Sequence, residues 1–342
     1  MSAARWSLKR AIPAAEIDAL VYRETAPMLE GHPAICEIHC IDREWKRQGL
    51  IRQASAERAL LAALRARRYD LIVHLTEHPR GALLARMLRP RYAVGRHLED
   101  AHRLWRTSFT HHYRLPRTTP RHTVECNLDA LRRIGLQPFP QEKRLVLRPS
   151  ASDAARVSAL LAEHSLKPRA FIQVHPGSRW LFKCASPPQY AALLDRIVAA
   201  GTQVVLTAAP DARERALVDA ILSASAQLTR RSLVDLCGVL TLRELAALTG
   251  QAQAFVGVDS APMHIAAAMG TPVVAMFGPS GEVEWRPWGV EHRVVASLVH
   301  PCRPCGNDGC GGGKVSECLT ELPVDRVYAA LVDLLAETAG RR

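Results

Sequence analysis

Aromatic residues are scarce, at 5% of a 342-residue chain, and long apolar runs are absent. No stretch approaches the roughly 20 apolar residues that cross a bilayer as a helix. The opening MSAARWSLKR lacks the apolar core of a secretory signal, so the expected location is the cytoplasm. Cysteine is sparse too: nine in the chain, an odd number, does not make the disulfide framework of a secreted protein. Glycine (20) and proline (22) are too few for a fibrous or low-complexity chain. Acidic residues number 33 against 45 Lys and Arg, and the formal charge of +12 favours anionic partners such as phosphates, nucleic acid or acidic lipid headgroups. What remains is a folded protein, 48% apolar and 23% charged. Its length predicts two domains with cores of Ala, Leu, Val and Ile.

Short β-branched runs alternate with helical stretches along the whole chain, the pattern of repeated βα units on parallel sheets, so the fold class is α/β. In the first half, strands are expected at 16–22, 37–41, 70–76 and 92–95, with helices at 55–68, 80–88 and 123–134. The polar, proline-bearing stretch 135–143 reads as an inter-domain linker. The second half predicts strands at 170–174, 203–207, 233–236, 254–258 and 272–277, alternating with helices at 188–200, 212–223, 242–250 and 262–269. That series is a complete doubly wound domain. The first half is not: it opens inside a helix at 7–12, where a doubly wound half opens with its central strand and a glycine-bearing turn. Either the first strand is missing or the domain starts with a helix. The expected divisions are 1–140, 141–323 and a terminal helical segment 324–342.

Two segments carry the chemistry. In AFVGVDSAPMHIAAAMG, 254–270, a strand runs into Asp259, and Ser260 stands where it caps a helix with Pro262 in its first turn. The free N–H groups of that helix start point past the carboxyl end of the strand, where open α/β sheets bind ligands and phosphates are favoured. Asp259 repels phosphate and suits sugar hydroxyls. The plainer reading is an ordinary cap with His264 as a satisfied helix histidine. In FIQVHPGSRWLFK, 171–183, a strand ends in Gly177 and Ser178 and then offers Arg179 and Lys183, two cations able to neutralise a leaving diphosphate. Taken alone, it also reads as a surface turn with solvated basic residues.

Together, HPGS with Lys183, the DSAPMHIAAAMGTP segment and WRPWG at 285–289 resemble glycosyltransferase family 9, the ADP-heptose:lipopolysaccharide heptosyltransferases. YDLIVHLT at 69–76 and RHTVECNLDALRRIG at 121–135 are similar to it as well, so the resemblance covers essentially the whole chain. Residues 179–184 and the cysteine-rich tail are most similar to the branch called lipopolysaccharide core heptosyltransferase III. The resemblance implies a GT-B fold, two Rossmann-like domains facing a cleft, and an inverting, metal-independent transfer of heptose from ADP-L-glycero-β-D-manno-heptose to the lipopolysaccharide inner core. By motif position it assigns Lys183 and Asp259 to catalysis. Gly177, Ser178, Arg179, Ser260, Ala261 and Met263 are assigned to the donor, His264 to supporting that loop, and Asp211 and Glu214 to the adenosine. Family members begin with a strand and a glycine-aspartate loop whose aspartate serves as general base, and no residue here inherits that role. The expectation is an upstream segment before Met1, with a non-catalytic relic that binds ADP-sugar or lipopolysaccharide as the alternative. A nucleotide-sugar epimerase is a third reading, without a reason to carry DSAPMH.

Cys302, Cys305, Cys310 and Cys318 lie in a glycine-rich loop, a spacing that suits structural zinc or an iron–sulfur cluster, or else a loop of free thiols. No cofactor is required for the transfer itself. Basic segments at 65–68, 86–91 and 96–106 point to a phosphorylated acceptor on the inner membrane and to peripheral association with its cytoplasmic face. Nucleic acid is not expected as a partner, since no RNP-like, zinc-finger or helix-turn-helix pattern is present.

Overall fold

The computed structural model describes residues 2–115 and 119–340. Met1 and residues 341–342, at the outer ends of the expected first and last segments, lie outside the described residues. The chain divides into two compact units, Met1–Val146 and Leu147–Arg342.

In the N-terminal unit, β1 (Ala19–Tyr22) pairs in parallel with β2 (Ile38–Ile41). A second sheet joins β3 (Leu71–Val73), β4 (Tyr92–Arg96) and β5 (His111–Tyr113), again all parallel. The helices Leu50–Ala66, Pro79–Leu88 and Thr123–Arg132 alternate with these strands. Two sheets rather than one mean that β1 and β3 each carry a ladder on one edge only. No strand among the described residues joins them. All three residues of β3 are half-buried, and the expected strand 70–76 shrinks to three residues. A polar bridge spans the two sheets instead. The Tyr69 hydroxyl donates to Asp18 Oδ2 at 2.7 Å and lies 3.0 Å from His39 Nε2, while Arg67 Nε donates to Asp18 at 2.6 Å. Burial alone raises the Asp18 carboxyl, but hydrogen bonds from Arg67 and Tyr69 outweigh it and hold the group below its ordinary value.

The stretch 135–143 is not a free linker. Its Pro140–Lys143 turn packs on the first helix, Ser2–Ala11, through an ion pair between Arg10 and the buried Glu142. Arg10 also lies 4.4 Å over the Phe139 ring, and Lys143 reaches Glu125 at 2.6 Å. The polar composition that reads as a linker is used for ion pairs, and the division between units falls after Val146.

The C-terminal unit holds one six-stranded parallel sheet, built from β6 (Phe171–His175), β7 (Gln203–Leu206), β8 (Val234–Asp235), β9 (Ala254–Val258), β10 (Val273–Phe277) and β11 (His292–Ala296). The spatial order β11-β10-β9-β6-β7-β8 is the doubly wound one, with the direction of strand addition reversing between β6 and β9. Every residue of β6, β9 and β10 is buried, as expected of central parallel strands covered on both faces. Their side chains alternate between two cores. Ile172, Val174, Val256, Val274 and Met276 face one core, and Phe255, Val273, Ala275 and Phe277 face the other. The terminal helix Val324–Ala339 closes the first core with Val327, Leu331 and Leu334, so it belongs to this unit. Elements not foreseen include β5 and β11, which are short, the short helices Arg103–Ser108, Gln227–Ser232, Glu282–Trp285 and Glu317–Thr320, and the longer helix Ala151–Glu163. That helix does carry a readable start signal, the reciprocal Ser150/Asp153 capping box.

Candidate active site

The reversal between β6 and β9 fixes where a site can form, because the loops leaving the two strands diverge and open a crevice at their carboxyl ends. β6 runs directly into Pro176, Gly177 and Ser178, and a short turn, Leu181–Lys183, follows. β9 ends one residue before Asp259. Across the crevice Lys183 Nζ donates to Asp259 Oδ2 at 2.7 Å, the lysine side chain one-quarter exposed and the carboxylate nearly buried. His264 Nε2 stands 3.8 Å from the other oxygen of Asp259, and its ring meets the half-exposed Trp285 edge-on at 6.2 Å between centroids.

Ser260 begins the eight-residue helix Ala261–Ala268, with Pro262 in its first turn and no acidic residue there. The expected side-chain cap does not form. With φ −150° and ψ 167° Ser260 sits at the N-cap, yet its Oγ makes no cap bond and is buried without a partner among the described residues. A buried hydroxyl without a bond costs free energy unless something else binds it. The N–H groups of Ala261 and Met263 have no intrahelical acceptor by the geometry of a helix start, so donors and a hydroxyl converge on one point. Met263 itself is fully buried, which leaves its backbone as the part that can meet a ligand.

The opposite wall is braced from behind. A Cβ on Gly177 would stand 2.4 Å from Glu214 Oε2, so only glycine lets the loop pass over that carboxylate. Glu214 Oε2 accepts from Ala209 N at 2.7 Å and lies 3.6 Å from His175 Nε2. His175 Nδ1 meets Thr207 Oγ1 at 3.0 Å, and Gln173 Nε2 donates to the same hydroxyl. Glu214 is thus buried and committed to bracing the HPGS loop. Asp211 caps the helix Ala212–Ala224, accepting from Arg213 N at 2.8 Å and Glu214 N at 3.3 Å. Both were expected at the adenosine, and their carboxylates are already occupied. Ser178 is buried with its Oγ accepting from Trp180 N, and Arg179 is exposed, 5.4 Å over the Trp180 ring. The sequence does not single out Thr207, and it offers His175 and Trp285 only inside the HPGS and WRPWG motifs, without a role. The His-Pro pair ahead of Gly-Ser is the one local signal that marked the brace.

Burial alone raises the Glu214 carboxyl, yet hydrogen bonding to His175 and Ala209 N outweighs it and the group titrates below its ordinary 4.5. A lowered carboxyl adds stability that is present above pH 4.5 and is lost as pH falls through the folded value. Glu214→Gln is therefore expected to unfold more easily by about 1–3 kcal/mol at neutral pH. The difference should close as pH drops below the carboxylate range, read by denaturant melts across pH. A gap that stays constant with pH removes the charge from the explanation. Gly177→Ala must push this carboxylate aside and is expected to cost about 1–3 kcal/mol of stability, read in the same denaturant melts.

A profile described as glycosyltransferase family 9 (heptosyltransferase) matches residues 57–315. The chain belongs to glycosyltransferase family 9. It is 34% identical over 337 residues to lipopolysaccharide heptosyltransferase 3 of Escherichia coli K12, covering 97% of this chain and 93% of that one. Its fold matches a solved family 9 glycosyltransferase from Veillonella parvula, with TM-score 0.81, 20% identity and coverage of 98% and 92%. It also matches the E. coli ADP-heptose lipopolysaccharide heptosyltransferase II, with TM-score 0.76, 23% identity and coverage of 99% and 95%. The two Rossmann-like units are thus those of a GT-B-type family 9 enzyme.

The four clustered cysteines share one neighbourhood: burial raises the Cys318 thiol, and Cys310, Cys305 and Cys302 lie near enough to raise it further. Cys318 is buried and the other three are exposed. Among the described residues, however, no three of these sulfurs come within 4.8 Å of one another, wider than a tetrahedral zinc site with Zn–S bonds of about 2.3 Å permits. As folded, the four sulfurs do not form a single-ion tetrahedral zinc site.

Proposed function

We propose that this family 9 chain transfers heptose from ADP-L-glycero-β-D-manno-heptose to a lipopolysaccharide inner-core acceptor, with inversion and without a divalent metal. The observation that carries the reading is the Lys183–Asp259 pair standing beside a helix start whose Ser260 Oγ is buried and unbonded. A diphosphate supplies the acceptor atoms that Ser260 and the N–H groups of Ala261 and Met263 lack. Lys183 and Arg179 carry the positive charge that a leaving ADP needs, the role a metal plays elsewhere. Asp259, held by Lys183, accepts from heptose hydroxyls, and His264 steadies it. Gly177 and Ser178 bring backbone close to the phosphates. Asp211 and Glu214 shape the adenosine side by fixing the helix start at Ala212 and the HPGS loop.

In the transfer, the acceptor hydroxyl oxygen bonds to the anomeric carbon while the bond from that carbon to the diphosphate breaks, and ADP leaves with the electron pair. The hydroxyl proton passes to a base that none of these residues provides. A chain that binds donor but does not turn it over is therefore the competing reading.

The test mixes the purified chain with ADP-heptose and inner-core lipopolysaccharide and follows ADP release, with nuclear magnetic resonance of the new linkage. Turnover that survives EDTA and inverts the anomeric centre is expected. Donor binding by calorimetry with no turnover establishes the binder, and no donor binding at all defeats both readings. Metal analysis of the same preparation for zinc and iron addresses Cys302, Cys305, Cys310 and Cys318: stoichiometric zinc requires the loop to rearrange around it. No helix among the described residues is long and apolar enough to cross a membrane. A cytoplasmic enzyme peripheral on the inner membrane is the proposed setting, with no nucleic-acid partner.

A further inference from the structure

We infer that one face of the N-terminal unit, made by the helices Pro79–Leu88 and Arg103–Ser108, is a docking surface for an anionic phospholipid bilayer. The inference rests on the proposed membrane-borne acceptor and adds the surface that meets the membrane. The two helices pack together by Ala82, Ala85, Trp105 and Phe109, which are buried, and turn their remaining residues outward. Leu83, Met87 and Leu104 are exposed by 48%, 37% and 39%, an apolar set that the unit's own core does not use.

The same two helices and the turn after the first carry Arg86, Arg89, Arg91, Arg103 and Arg106, and none of the five has a carboxylate within ion-pair distance among the described residues. That contrasts with Arg80 and Arg96 nearby, which are paired to Glu57 and Glu77. Arg86 Nη1 donates to Thr107 Oγ1 at 3.2 Å, which joins the two helices side by side. Between them lies an open groove of about 260 Å³, lined by Arg86, Arg89, Pro90, Thr107, Ser108 and Thr110. Its hydroxyls are already used: Ser108 Oγ donates to Leu104 O and Thr110 Oγ1 donates to Ala93 O. The free donors are therefore the Arg89 guanidinium and the Arg86 N–H groups not given to Thr107, which suit a headgroup phosphate. Exposed aliphatic side chains interspersed along the same helices with arginines that lack carboxylate partners are the composition of an interfacial membrane contact, where apolar groups enter the headgroup boundary and cations meet anionic lipid.

The test sediments the full chain with vesicles of phosphatidylcholine alone or mixed with an equal part of phosphatidylglycerol. Binding to the mixed vesicles only, weakened by salt, is expected. The double variant Arg86→Gln, Arg89→Asn should lower that partition roughly 20–30-fold, at about fivefold per arginine. Asn is chosen because Arg89 has φ +49°, which Asn tolerates. Leu83→Ser with Leu104→Ser should also lower binding while leaving its salt dependence in place. Equal binding to both vesicles, or variants that bind like the parent, overturns the inference. So does loss of vesicle binding to millimolar inorganic phosphate at constant ionic strength, which marks a small-anion pocket. Preferential binding of duplex RNA with the same arginine sensitivity overturns it as well. ADP-heptose binding is measured in parallel: variants that lose vesicles but keep donor support the inference, whereas a parent chain that binds no donor defeats the functional reading alone.

Discussion

Replacing Lys183 by Ala is expected to lower kcat/KM for heptose transfer roughly 10²–10³-fold, mostly in kcat. Two effects add. In the proposed transfer the charge facing the leaving diphosphate disappears, and charge stabilisation of that kind acts on the transition state more than on bound substrate. Asp259, nearly buried and bonded to Lys183 Nζ at 2.7 Å, also loses its partner, and an unpaired buried carboxylate is costly. Lys183→Arg keeps the charge but not the compact ammonium and should recover only part of the rate. Pairing Lys183→Ala with Asp259→Asn separates the terms, because residues that act as a unit give non-additive losses. If Lys183→Ala leaves kcat within a fewfold of the parent, the pair is structural and the assignment of Lys183 to the leaving group fails. Where the chain binds donor without transferring it, the same substitution should appear as weaker ADP-heptose affinity.

The second large effect is on the scaffold. Phe255 is fully buried in the middle of β9 and packs with Met263, Ala266, Val273 and Phe277. Phe255→Ala should cost about 3–5 kcal/mol, the loss for emptying a buried phenyl site. For a unit of 150–250 residues that corresponds to a fall in melting temperature of roughly 6–20 °C. Met263 and Ala266 belong to the helix whose start forms the candidate diphosphate site, so the cavity also frees that helix to move. Donor affinity should fall with stability. Phe255→Leu fills most of the space and should lose about 1 kcal/mol with donor binding kept, which covers the case where the Ala variant does not fold. A Phe255→Ala protein that melts like the parent shows that the core against this helix is not what the packing indicates.

The C-terminal unit was the more legible half. Strands 170–174, 203–207 and 272–277 are displaced from β6, β7 and β10 by one residue at most, and 254–258 coincides with β9. Their continuous apolar runs have one meaning in a doubly wound sheet: burial on both faces, which local sequence records directly. The edge strand β11, HRVVA, escaped because an edge is half-solvated and its composition is mixed. In the N-terminal unit β5, His-His-Tyr, carries no such pattern at all.

The site divides in the same way. Local sequence located Asp259, Ser260 and Lys183, because a strand end, a helix start with Pro262 and a Gly-Ser turn are short-range signals. It did not reveal that Ser260 leaves its helix uncapped, nor that Lys183 and Asp259 pair. Those depend on β6 and β9 lying side by side, although 76 residues of chain separate the two side chains. The same holds for Glu214, read as a ligand contact and found bracing Gly177 and His175.

By itself, then, the sequence determined the α/β class, the doubly wound C-terminal unit, the family and the two loops that form the candidate site. All of these are written in hydrophobic period, turn residues and motif spacing, properties of neighbouring positions. Only the tertiary structure decided that the N-terminal strands form a pair and a triple, bridged by Asp18, His39, Arg67 and Tyr69. It alone tied 135–143 to the N-terminal unit by Glu142, and it alone left the cysteine sulfurs apart. Each of these outcomes depends on which edges and charges meet across long stretches of chain, and that is set by packing.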